Sequence, residues 1–454
     1  MQKFISQLQK PVSIAPLAMF RVIFGLMLFI STLRFILKGW VYELYVAPSY
    51  YFTYYGFDWV KPLGKVGMYI VFALLLISSI GILLGYFYKF SATLFFVLFT
   101  YVELIDKTNY LNHYYFVSLV SFLLIIVPAG RYFSLDTRYR RLVSYTHTPK
   151  WTIDIIKFQL GVVYFFAGVA KLNYHWLIEA QPLANWLKHQ TDLAIVGPFM
   201  KYKATAYLFA WAGALYDLSI PFILLSHRFR LLGYTAVVVF HILTAMMFPI
   251  GVFPLVMIGS TLIFFSAEYH QKCIDFISKR FSTDIKVEQK QVFRNTHSKF
   301  LTTFLVLYVC AQLLLPFRYV LYPGNLFWTE QGFRFSWRVM LIEKVGYAEF
   351  KITDSSQPGH IIVDNAQYLT PQQEKMMATQ PDMILQYAHF LKNTYMHSQI
   401  ITDSMSFTMI DPVVTVNSSV VLFNEGSRPL VLPHINLAKE ERGWHHKKWI
   451  ESYD

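Results

Sequence analysis

The sequence predicts a polytopic α-helical membrane protein of eight to nine transmembrane helices, followed by a small, mostly β extramembrane domain at the C-terminal end. Three observations predict it. Charged residues make up only 15% of the 454, and hydrophobic ones 55%, whereas a soluble globular domain carries about 25% charged residues. Nine apolar runs of spanning length or close to it occur near 14–37, 66–86, 90–105, 114–129, 158–172, 205–225, 231–247, 251–267 and 300–317. A helix needs about 20 apolar residues to cross the hydrocarbon core, and shorter ones are tolerated when buried. Finally, the basic residues between these runs alternate in density.

With nine spans, the N-terminus and the even-numbered connections hold Lys3, Lys10, Lys89, Arg131, Arg138, Arg140, Arg141, Lys150, Lys157, Arg228, Arg230, Lys272, Lys279, Arg280, Lys286, Lys290, Arg294 and Lys299. The other connections hold Lys38, Lys61, Lys65, Lys107, Lys188, Lys201 and Lys203. That is 18 against 7, and the positive-inside rule assigns the richer side to the cytoplasm. The N-terminus is expected inside and the C-terminus outside. The first run is long enough to remain as a span, so no cleavable signal peptide is expected. Several runs contain or end in Gly or Pro (Pro128, Gly168, Pro221, Pro249, Pro254), as expected of helices packed against protein as well as lipid.

After Pro316 the character changes, which divides the chain into a transmembrane region, 1–317, and a C-terminal domain, 318–454. The second part mixes short β-type runs (349–353, 361–363, 413–416, 420–423) with polar turns and one expected helix near 370–393. Two cysteines exclude a disulfide framework: Cys273 lies in a polar basic loop and Cys310 in an apolar run. No repeat period, HExxH, CxxC, phosphate loop or dinucleotide fingerprint occurs. Neither a metal nor a nucleic-acid partner is expected.

Four polar positions stand out. Lys171 ends an uncharged stretch that begins at Leu160, and an ammonium at membrane depth is costly unless it pairs, snorkels or loses its proton. A lysine that gives up its charge is a competent base, while snorkelling at a span end is the plain alternative. His113 opens the fourth run, next to Asn112, in the polar connection 103–116. Its ring could serve a pocket as a hydrogen-bonding or proton-moving group. Asp217 lies inside the sixth run, where a carboxylate is expected to partner a buried donor. His241, one run later, is expected to bridge helices.

Taken together, several stretches resemble the vitamin K-dependent gamma-glutamyl carboxylase family. They are Asp106-Lys-Thr with Asn112-His113, Tyr164-Phe-Phe-Ala-Gly-Val-Ala-Lys171-Leu, Leu215-Tyr-Asp-Leu-Ser219, and Phe240-His241 with Met247-Phe-Pro-Ile-Gly-Val-Phe253. Gln312-Leu-Leu-Leu-Pro316 and Phe335-Ser-Trp337 follow. They run in the family's order from about residue 16 to residue 415. The resemblance implies that Lys171 is the base that deprotonates vitamin K hydroquinone (or menaquinol) and that His113 assists. Asn112, with Asp106 and Lys107 in the same loop, would contact the quinone. Reaction with O2 would yield a strong base that takes a γ-proton from glutamate, with CO2 adding to the carbanion and the vitamin leaving as its epoxide. A dry membrane interior would protect such a base.

The basic stretch Trp186-Leu-Lys188-His189 matches the family loosely, and Lys188 and His189 are the expected contacts of an acidic substrate. The family's histidine-rich segment reads Met340-Leu-Ile-Glu-Lys-Val-Gly-Tyr347 here, and its disulfide cysteines are absent. The quinone half of the site is therefore expected to be intact and the peptide half to differ from the family's. The expected partners are membrane lipid, a reduced quinone and a glutamate-containing protein, in a bacterial cytoplasmic membrane. The alternative is a non-catalytic transport or lipid- or quinone-binding protein on the same scaffold.

Overall fold

The computed structural model describes residues 2–194, 196–280, 291–293, 298–356, 359–401 and 406–453. Lys286, Lys290 and Arg294 of the charge count above lie outside them. Each of the nine apolar runs is a helix: α1 (Ala15–Leu37), α2 (Gly64–Leu84), α3 (Tyr88–Ile105), α4 (Asn112–Ile126), α5 (Trp151–Lys171), α6 (Lys203–Leu225), α7 (Arg230–Met247), α8 (Phe253–Thr261) and, after the amphipathic α9 (Ala267–Arg280), α10 (Ser298–Leu314). Seven of the apolar helices are long enough to cross a membrane, α10 counting with the turn that carries it to Leu321. The protein is thus a polytopic α-helical membrane protein. α4, at 15 residues, matches its short run, whereas α8 is shorter than its run suggested. Even with the turn that extends it to Phe264, α8 rises only about 18 Å against a core of about 30 Å. Gly251, in the left-handed conformation at φ 61°, and Pro254 in the first turn delay its start.

α5 is the central helix. Two thirds of its apolar window is buried inside the bundle, against 22–39% for the other spans, so its neighbours cover most of it. At one end of the bundle the chain before α1 pairs with the chain before α5, β1 (Pro11–Ser13) antiparallel to β2 (His147–Pro149). At the other end sits the C-terminal region. Its three-stranded sheet has the order β4 (His360–Ile362), β3 (Lys344–Asp354), β7 (Pro412–Leu422), all antiparallel, with β3 and β7 paired over their whole length. A small hairpin, β5 (Gln399–Ile401) with β6 (Ser406–Thr408), precedes β7. The two expected runs 413–416 and 420–423 are therefore one strand, whose inner face alternates with the period of two that a half-covered sheet requires.

The single helix expected near 370–393 is two, α11 (Pro371–Met377) and α12 (Pro381–Tyr395). Pro381 has no amide to continue α11, and its ring pushes the preceding residue out of helical geometry. α11 starts on a capping box between Thr370 and Gln373. The face of α12 that packs on the sheet carries Ile384, Tyr387, Ala388 and Leu391, which bury with Phe350, Ile352, Val414 and Val416 in a core continuous with Trp176, Leu187 and Met247 at the bundle's end.

Candidate functional site

α5 and α6 meet where Gly168 faces Leu218. A Cβ on residue 168 would lie 2.7 Å from the Leu218 amide nitrogen, so the helices approach backbone to backbone only because that position is glycine. Lys171 is one turn further on the same face of α5, and Asp217 precedes Leu218. The contact thus sets the two charges opposite each other. Lys171 Nζ donates to Asp217 Oδ2 at 2.6 Å and to the Ala167 carbonyl at 3.3 Å. The Trp176 ring covers it at 5.3 Å, and that indole is itself fixed by donating to the Ala210 carbonyl. Both charged side chains are 7% exposed.

The lysine is therefore withdrawn from water and does not snorkel. Of the three routes open to it in sequence, pairing, snorkelling or loss of its proton, it is paired, and its partner is Asp217, a carboxylate expected to meet a buried donor. An ammonium left unpaired here would cost several kcal/mol, so the carboxylate on the neighbouring helix is the arrangement that lets it fold.

A second row of groups runs beside this pair. The Tyr164 hydroxyl, two turns before Lys171 on α5, shares hydrogen bonds with His241 Nε2 and Thr261 Oγ1, both at 3.3 Å. His241 packs against Phe253 at 5.3 Å between centroids, and Phe253 against His113 at 5.7 Å. His113 is buried and meets Tyr114 as well. Nδ1 of His241 is buried without a hydrogen-bond partner among the described residues. Five helices (α4, α5, α6, α7, α8) thus bring His113, Phe253, His241, Tyr164 and the Lys171–Asp217 pair into one polar seam in an apolar bundle. The row from His113 ends at Tyr164, two turns of α5 before Lys171, and the lysine's own partners are Asp217, the Ala167 carbonyl and Trp176. His241 bridges helices as expected. Tyr164 and Trp176 were not singled out from sequence, since an aromatic in an apolar run carries no signal of its own.

The loop 106–112 is engaged differently. Asp106 accepts from the Thr108 amide and hydroxyl and from Gln373 Nε2 of α11. Asn112 donates to the Arg338 carbonyl at 3.0 Å, while its oxygen accepts from Tyr110. Lys107 is buried and pairs at 2.8 Å with Asp382 of α12, which Arg334 also binds at 2.8 Å. These three side chains hold the C-terminal region onto the bundle. Burial moves the Lys107 ammonium down to about 8, against the opposing pull of Asp382. Burial alone would raise the Asp382 carboxyl, but Arg334 and Lys107 outweigh it and hold it well below the ordinary carboxylate range. Asp382 and Arg334 lay outside the sequence-based expectations, because nothing local distinguishes a carboxylate in a helix's first turn from an ordinary dipole-favoured one. Beside the triad, Arg318, Arg442 and Lys447 help to line a basic cavity of about 140 Å³.

Lys188 and His189 are exposed on the turn after α5. Lys188 lines an open pocket with Lys201 and Lys203. Among the described residues no group of three or more His, Cys, Asp or Glu side chains could hold a metal ion.

Comparison with known families covers nearly the whole chain. The HTTM domain model matches residues 9–269, and the model of the vitamin K-dependent gamma-carboxylase lumenal domain matches residues 297–454. No solved structure matches. The first match takes in the whole seam from His113 to Phe253, and the second takes in the sheet and helices that the loop 106–112 holds in place. The chain belongs to the vitamin K-dependent gamma-carboxylase family.

Proposed function

We propose that this protein oxidises the hydroquinone of vitamin K, or of menaquinone, with molecular oxygen to the epoxide and water, and couples this to carboxylation of a peptidyl glutamate with CO2. The observation that carries the reading is the buried Lys171–Asp217 pair in a chain of this family. Two apolar residues would fill that space at lower desolvation cost, so a reactive role accounts for the charges. Lys171 would take the proton of the quinol hydroxyl. It can do so only when its own proton has moved on, and Asp217, at 2.6 Å, is the acceptor within reach. The unpartnered Nδ1 of His241 and the ring of His113 are the groups that could meet a ligand oxygen in the same seam. Lys188 and His189 are the proposed positive edge for an acidic substrate, and the excess of basic residues at the bundle's other end supports an inside N-terminus and an outside C-terminal region.

The test is to supply purified protein with reduced vitamin K, oxygen, a glutamate peptide and labelled bicarbonate, and to measure epoxide and fixed label separately. Epoxide production at the rate of heat-denatured protein would overturn the reading, and epoxide without label would remove only its carboxylation half. His113→Ala is expected to lower epoxide turnover about 10²-fold, the scale of a proton-transfer group, with the yield of folded protein unchanged.

One observation favours the non-catalytic alternative, a protein that binds quinone without turning it over. None of the three cavities, of about 140, 530 and 450 Å³, is lined by Lys171 or His113. The same assay separates the two, because the alternative predicts quinone binding with no epoxide.

A further inference from the structure

A pocket of about 530 Å³ opens where α6 begins, between the turn after α5 and the segment Phe423–Glu425. Its wall carries Lys188, Lys201 and Lys203, all exposed. Among the described residues none of the three ammonium groups has a carboxylate within 4 Å. Lys201 and Lys203 rest only on the rings of Tyr202 and Tyr207. The two acidic residues of the lining are already engaged, Glu179 by His175 at 2.8 Å and Glu425 by Arg428 at 3.7 Å. The lining therefore carries three lysines against two glutamates, a net positive charge, with the carboxylates turned to other partners.

Its depth is set by the helix it adjoins. Lys203 is the first residue of a span that runs to Leu225, so the lysines stand at the level where that span enters the membrane. Around them Tyr174, Phe199, Tyr202 and Trp211 are 47–62% exposed. Tyr207 and Trp211 donate to the Ile178 and Leu177 carbonyls, which ties the turn after α5 to α6. Exposed Tyr and Trp at a span end mark the headgroup layer, and exposed Leu208, Leu215 and Phe222 continue down the outward surface of α6.

We propose that this pocket binds the phosphate headgroup of an anionic phospholipid, with Lys201 and Lys203 as its contacts and with the acyl chains laid along the exposed side chains of α6. The shared chemistry of a lipid phosphate and a free one is a phosphate oxyanion, but only the lipid uses the apolar surface that continues from the pocket. The site is independent of the quinone reading. Lys188, at the pocket's edge, stays with His189 as the proposed edge for an acidic substrate.

The full-length protein, in a neutral detergent, is titrated with phosphatidylglycerol, with phosphatidylcholine, with inorganic phosphate and with a glutamate-rich peptide, and bound ligand is counted by native mass spectrometry. Phosphatidylglycerol is expected to bind about tenfold more tightly than phosphatidylcholine, on the scale of electrostatic attraction by two lysines. That preference is expected to vanish in K201Q/K203Q and to return in K201R/K203R. No preference in the wild type, or an unchanged preference in K201Q/K203Q, overturns the proposal. So does displacement of phosphatidylglycerol by equimolar inorganic phosphate, which would mark a free-anion site. Tighter binding of the peptide than of phosphatidylglycerol, lost in the same variant, overturns it in favour of a protein substrate. Epoxide assays are not used, so failure here leaves the quinone reading standing.

Discussion

Lys171→Ala is expected to abolish epoxide formation, by about 10²–10⁴-fold, the range of a general base. The same substitution also removes the partner of a carboxylate that is only 7% exposed, and an uncompensated buried charge costs about 3–5 kcal/mol. Loss of activity alone would therefore not separate a missing base from a loosened bundle. A double variant, Lys171→Met with Asp217→Leu, does separate them. It replaces the pair by apolar groups, removes the stranded charge, and is expected to return thermal stability to the wild-type level or above while epoxide formation stays absent. A stable double variant that still makes epoxide at the wild-type rate would show that Lys171 is not the base. Asp217→Asn gives a third point. It keeps the shape of the contact but takes away the acceptor of the proton, so epoxide turnover per folded molecule is expected to fall.

Asp382→Ala is expected to have the largest effect on how the C-terminal region sits on the bundle. Asp382 binds Lys107 from the loop before α4 and Arg334 from the segment that leads into the sheet. Its loss leaves the Lys107 ammonium, 4% exposed, without its counterion. A third of the Asp382 side chain is accessible and solvent screens the pair in part, so the cost is placed at about 3 kcal/mol, the low end for a buried pair. Limited proteolysis should then cut between the bundle and the sheet faster than in the wild type, and equal cutting rates would refute the latch.

The pH dependence has a defined sign. The Asp382 carboxyl titrates lower in the folded chain than in the unfolded one, so its stabilisation is present above the ordinary carboxylate value, about 4, and is lost as pH falls below it. In Asp382→Ala that acid-side loss should shrink. Lys107 is displaced from 10.5 to about 8, so the unfolded chain holds the extra proton between those values. Stability contributed by this group therefore rises with pH across that window.

Much of the architecture was legible in the chain. The nine apolar runs are nine helices because a run of that composition has nowhere to go but lipid or a lipid-facing bundle, and in both its backbone must bond to itself. β3 and β7 were legible in part, as the short β-type runs 349–353, 413–416 and 420–423, and the break between α11 and α12 could have been read from Pro381. Lys171 and Asp217 each announced a need for a partner, because a charge in an apolar run is a deficit that something must meet.

What the sequence could not state was which deficits meet. Lys171 and Asp217 are 46 positions apart, and their pairing depends on the close approach that Gly168 permits. Asp106, Lys107 and Asn112 look alike in sequence whether they face a ligand or a neighbouring domain, and folding sends them to Gln373, Asp382 and Arg338. Composition and periodicity act locally, residue by residue along the chain, and so they determined the membrane, the helices and the sites of unmet charge. The pairing of those charges across helices is a long-range choice, decided only when the packed bundle fixes which side chains come within 3 Å of one another.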